Sequence, residues 1–259
     1  MGVLTIAIMI AAFIGMIICA KKQKTNPNAK TFAILCLIVV VICAGKFLID
    51  SGALGGMSRE MKEALASYER FSEASAQAAG EYVSQKFGGK KAIIVASGGN
   101  AFEKQPNKLA GYVKKYLTGV NAEIKGLPYD PPQNDPGMGE EYMNAKYFNQ
   151  LFDNNKDTDL FILTISLPFD PSQAAKIKLW GKKDGQKLVL INADVHYLYN
   201  EIKNGVVAAA VVMRPDLKQE DFEKNAPSDL KKAFEARYLL ITPQNVDVIA
   251  KKYGNLFAK

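Results

Sequence analysis

Eight polar residues could act on one ligand if the chain folds as an open parallel sheet: Ser97, Asn100, Asp130, Ser166, Asp170, Asn192, Asp194 and Arg214. Each follows a short apolar run, and in such sheets ligands bind beyond the carboxyl ends of the strands. The set offers carboxylates, amides, hydroxyls and one guanidinium, which suits a polar ligand. Ser97-Gly98-Gly99-Asn100 could cradle an anion on backbone amides at a helix start. It lacks the Lys-Ser/Thr of a P-loop and the dinucleotide spacing, so the plainer reading is a strand-to-helix turn. Asp130 and Asp170 stand in the similar contexts Tyr-Asp-Pro and Phe-Asp-Pro. A carboxylate pair there could do acid–base work; a turn or a helix cap is the plainer reading. The stretch 129–139, YDPPQNDPGMG, is a proline-rich loop suited to a lid, a partner contact or a mere insertion.

Other chemistry is excluded by count. Cys19, Cys36 and Cys43 all lie in the first 50 residues, so the remainder has no disulfide framework, zinc knuckle or thiol nucleophile. The one histidine, His196, stands at an expected helix start, where the dipole disfavours imidazolium; a surface or satisfied histidine is the plainer reading. No nucleophile–base constellation emerges. The expectation is a non-enzymatic protein with no cofactor and no metal.

The elements that must carry these residues alternate. Apolar runs at 90–97, 122–129, 159–166, 187–192, 206–213 and 237–242 read as buried strands, because they are continuous and so suit a sheet covered on both faces. Helical stretches at 108–117, 140–152, 172–180, 195–203, 229–236 and 245–253 separate or follow them. This rhythm predicts an α/β fold: a mostly parallel sheet in three layers, flavodoxin-like, with right-handed crossovers.

The first 50 residues differ. Residues 3–20 carry no charge, and 31–49 carry only Lys46. Each run is close to the length that spans a bilayer. The ten residues between them hold Lys21, Lys22, Lys24 and Lys30. The expectation is therefore a transmembrane hairpin over 1–50, with helices about 3–20 and 31–49. By the positive-inside rule its loop is cytoplasmic and both termini are extracytoplasmic. A hinge and a long juxtamembrane helix follow over 51–87, then the α/β domain over 88–259. The chain has 33 Lys+Arg against 26 Asp+Glu. Much of that excess sits in the lysine loop, so the domain itself is nearly balanced and nucleic acid is not an expected partner.

Three segments carry a family resemblance. GKKAIIVASGGN followed by LAGYVKKYL, then DTDLFILTISLPFDPSQAAKIKLW, then KLVLINADVHYLYNEIKNGVVAAAVVMRPD together resemble the C-terminal lobe of type I periplasmic solute-binding proteins and lac-repressor-like ligand-binding domains, over about 89–215. The resemblance implies a periplasmic-binding-like lobe, present singly. Two positions depart from the family. Phe169-Asp170 stands where the family often has Asn-Asp, and Asn192 or Ala193 is nearest in register to a ligand-binding Asp.

These readings lead to a membrane-anchored, non-enzymatic binding or interaction module of the cell envelope, integral to the cytoplasmic membrane with its α/β domain outside. Its lipid contact would be the hairpin. Its strand-end face, with Tyr129 and Phe169 beside Asp130, Asp170 and Arg214, would meet a protein partner or a second copy. The alternative is a receptor-like binder of a small polar solute, sugar- or nucleoside-like, for transport or sensing. An enzyme of another class is the weaker alternative.

Overall fold

The computed structural model describes residues 3–22, 32, 34–43, 58–97, 107–128, 144–168, 170–180, 182 and 185–258, without the side chains of 3–10 and 20. The chain divides into two units, Met1–Ala66 and Ser67–Lys259.

The first unit holds α1 (Val3–Lys22) and α2 (34–43), and α3 (Arg59–Lys86) begins in it. A Cβ on Gly15 would meet Cys36 Sγ at 3.4 Å, an ordinary contact between α1 and α2. Among the described residues no helix is long and apolar enough to cross a membrane. This corrects the expected hairpin. The second apolar run is helical over 34–43 among the described residues. The membrane anchor, the lipid partner, the inner-membrane location and the envelope role that depended on them fall with the hairpin. The lysine loop beyond Lys22 and the hinge at 51–57 lie outside the described residues.

In the second unit six strands form one sheet in the order β2-β1-β3-β4-β5-β6. They are β1 (Lys91–Ala96), β2 (Asn121–Gly126), β3 (Leu160–Leu163), β4 (Lys187–Ile191), β5 (Val207–Met213) and β6 (Tyr238–Ile241). The first five pair in parallel and β6 closes the edge antiparallel to β5. The expected mostly parallel sheet is thus present.

Strand residues alternate between two cores because successive side chains point to opposite faces. Ile93, Val95, Phe161, Leu163, Leu188 and Leu190 face one side, where they pack with Phe148 and Phe152 of α5 (Ala145–Asn154), Ile202 of α7 (Tyr199–Lys203) and Val246 of α10 (Val246–Lys252). Ala92, Ile94, Leu160, Ile162, Val189 and Ile191 face the other. There they meet Phe71, Ala79 and Val83 of α3, Val113 of α4 (Lys108–Tyr116) and Ala233 of α9 (Leu230–Arg237). The result is three layers.

The expected helix at 172–180 is helical only in α6 (Pro171–Ala174). Ile177 and Leu179 are both buried in one core, a spacing of two that a continuing helix would split between faces. A further short helix, α8 (Gln219–Phe222), lies between β5 and α9.

Candidate functional site

In the order β2-β1-β3-β4-β5 the chain leaves β1 and β3 in opposite directions, so the topological switch point lies between them. The groups there are satisfied by one another. The Thr164 hydroxyl, just past β3, donates to the Val95 carbonyl at 2.9 Å and accepts from Asn107 Nδ2 at 3.1 Å. Asn107 in turn caps α4, its Oδ1 accepting from the Ala110 N–H at 3.3 Å. Thr164 is buried, and a hydroxyl there without partners would cost about 1–3 kcal/mol. Thr164 and Asn107 thus join the end of β3 to the start of α4 at this point.

Among the described residues an open depression lies one strand over, beyond β3 and β4. It is shallow, with a volume of about 50 Å³. Its polar groups are Ser166, Asp194, His196 and Tyr197, and its apolar lining is Leu167, Pro168, Ala174 and Leu198. The turn after β4 presents the other three polar groups, Asp194, His196 and Tyr197. Asn192 sits at φ 57, the one described non-glycine residue in the left-handed region, and its N–H donates to the Val211 carbonyl at 2.8 Å. Asparagine tolerates this region better than most residues because its short side chain can bond locally. The chain thereby turns sharply off β4 and delivers Asp194, whose Oδ1 accepts from the His196 N–H at 2.8 Å. The His196 and Tyr197 rings meet edge to face at 4.8 Å, and Tyr197 stays 60% exposed. An exposed phenol ring, a carboxylate and a hydroxyl here stand around a small apolar floor.

Of the expected site residues, Ser166 and Asp194 line this depression together. Asn192 stands two residues before Asp194 and shapes the turn. Ser97 is exposed at the end of β1. Asp170 is committed to capping: its Oδ1 accepts from the Ser172 N–H and its Oδ2 from the Ser172 hydroxyl, both at 2.8 Å, ahead of Pro171. These bonds, the hydroxyl's first, hold its carboxyl below the ordinary range. Arg214 grips Asp216 with two nitrogens, at 3.0 and 2.8 Å, and donates a third bond to the Glu235 carbonyl at 2.9 Å. It therefore braces the turn after β5. Asn100, Tyr129, Asp130 and Phe169 lie outside the described residues, and with them the aromatic pair on which the expected protein interface rested.

Sequence reasoning did not find Asn107, Thr164 or Tyr197. Asn107 was legible as a cap, being an asparagine directly before the helical run KLAGYVKKY. Thr164 and Tyr197 carry no local signal.

No family model matches the chain, and no curated protein matches it. Three solved structures are partly similar. One is titled XylFII-LytSN complex, at 18% identity over 67% of this chain and 60% of that chain, with a TM-score of 0.38. A second, the XylFII molecule, is 20% identical over 66% of this chain and 60% of that one, with a TM-score of 0.38. The third is AraP, an arabinose binding protein from Geobacillus stearothermophilus, at 14% identity over 69% and 62%, with a TM-score of 0.41. The chain thus spans about six tenths of the length of the structures it is similar to. The likeness is partial, and the placement of the site rests on the strand order and the turn after β4.

Proposed function

We propose that this protein is a non-enzymatic, receptor-like module that binds a small polar solute, sugar- or nucleoside-like, for transport or sensing. The observation that carries this reading is the depression beyond β3 and β4, where Ser166 and Asp194 stand over Leu167 and Leu198. Asp194 has an acceptor oxygen besides the one bonded to the His196 N–H, which suits a hydroxyl-bearing ligand. Ser166 offers both a donor and an acceptor. Tyr197 supplies a flat apolar surface against which a sugar ring or base can stack. The reading is of binding rather than catalysis, because the imidazole stands against a phenol ring and not against a nucleophile. The resemblance of 89–215 to a solute-binding lobe supports the same reading.

The single tryptophan makes the test direct. Trp180 donates its indole N–H to the carbonyl of Ala174, and Ala174 lines the depression. Pentoses, hexoses, nucleosides and amino acids should be titrated while Trp180 emission and the melting midpoint are followed. One class is expected to shift both; a ligand at 100 times its Kd stabilises by about 2.7 kcal/mol. Asp194→Ala and Ser166→Ala should weaken that class at least roughly tenfold, the loss of one or two hydrogen bonds. Absence of a shift across the panel, or shifts unchanged in both variants, would overturn the reading.

A further inference from the structure

The turn 194–198 that forms one wall of the depression has little regular structure of its own, yet its central peptide is held from both sides. The His196 N–H is taken by Asp194 Oδ1 at 2.8 Å. Its carbonyl accepts from the Ala258 N–H at 2.7 Å, sixty-two positions further along the chain. That bond is placed by Phe257. The Phe257 ring is buried in the same core as Val195 and Leu198 and meets the Tyr199 ring edge to face, 5.5 Å between centroids. Tyr199 is in turn tied through its hydroxyl to Asp247 of α10, the helix from which the 254–258 segment issues. The two ends of the turn are thus anchored in the core by Val195 and Leu198, and its exposed middle is anchored by the C-terminal segment.

From this we infer that residues 254–258 are a strap that fixes the ligand-facing turn, with Phe257 and Ala258 as positioning residues for His196 and Tyr197. The functional meaning of the strap rests on the solute-binding reading of the depression; its mechanical role does not. Phe257 supplies the anchor, and Ala258 supplies the N–H that reaches the His196 carbonyl. Without them the His196 carbonyl turns to water and the turn samples other arrangements, so the wall of the depression loses its fixed shape. A site whose wall is not preorganised must order it on binding, which lowers affinity.

Hydrogen exchange on the full chain tests this without any ligand. Two variants are used: Ala258→Pro, which removes the donor and keeps the ring, and Phe257→Ala, which removes the ring. In both, the amides of 195–199 are expected to exchange at least roughly tenfold faster, while those of β1 and β3 keep their rates, as for a local opening. Phe257→Leu, which keeps an apolar anchor, should return the turn towards its native rate. Native rates in the turn of both folded variants would overturn the proposal. A uniform acceleration across all strands would also overturn it, since the segment would then be ordinary core. Because the readout is local exchange, its failure is distinct from a failure of the solute titration.

Discussion

Tyr238 opens the edge strand with its ring buried against Phe234, and burial pushes its phenol up to about 12, the nearby Arg237 opposing only in part. The unfolded phenol ionises near 10. Between those values the unfolded chain loses a proton that the folded chain keeps, so stability falls as pH rises. The contribution is intact below pH 10 and is lost progressively towards pH 12, on the order of 2 kcal/mol in all. Urea midpoints measured from pH 9 to pH 11.5 should therefore fall, and Tyr238→Phe should flatten that fall while folding normally at pH 8. Asn192 works through its backbone instead: its left-handed conformation lets β4 end abruptly and sets Asp194 over the depression. Both residues are chosen by their surroundings rather than by their reactivity.

At the scale of elements, α3 covers one face of the sheet together with α4 and α9, and α4 packs directly on α3. Glu73 accepts from Lys115 Nζ at 2.7 Å and from the Tyr116 hydroxyl at 2.8 Å, and Glu69 pairs with Lys108. The Lys115 hydrogen bond, first among several causes, holds the Glu73 carboxyl below its usual range. These pairs are exposed in part and orient the crossing rather than hold it. The close approach itself is made at Gly80, where an added Cβ would lie 2.8 Å from Tyr116 Cβ and 3.1 Å from its backbone. Gly80→Ala should then force α3 and α4 apart despite the better helix propensity of alanine. The expected cost is about 1–3 kcal/mol, the usual range for overpacking, read as a lower urea midpoint at unchanged m-value. A neutral or stabilised variant would mean that the crossing relaxes freely. The same reasoning covers the switch point, where Asn107 caps α4 and satisfies Thr164 at once, joining a helix start to a strand end.

For the whole molecule, the division at Ala66 and Ser67 sets the α/β unit apart from α1 and α2. That unit carries both cores, the whole sheet and the depression, and none of the three cysteines. It is large enough to bury a complete core, since chains of about 150 residues already bury some 70% of their surface. Residues 59–259 expressed alone should therefore give a single cooperative thermal transition by circular dichroism, with coincident near- and far-ultraviolet midpoints. A featureless or gradual melt would show that the first 58 residues are needed for folding.

What the sequence determined is local. Continuous apolar runs such as KAIIVA and LFIL specify strands covered on both faces, because a half-exposed strand would alternate. Asp170 before Pro171 specifies a helix start, and the absence of cysteine beyond residue 50 removes thiol and zinc chemistry from the sheet. Composition also suggested two membrane spans, and among the described residues no helix is long and apolar enough to make one. The tertiary structure alone decided which strand ends are neighbours. Only the order β2-β1-β3-β4-β5-β6 brings Ser166 and Asp194 to one depression and joins Thr164 to Asn107 at the switch point, while Arg214 braces its own turn. The strap at Phe257 and Ala258 joins that site by contacts across sixty-odd positions of chain. Those pairings depend on the fit of whole faces in three dimensions, and no run of neighbouring residues encodes them by itself.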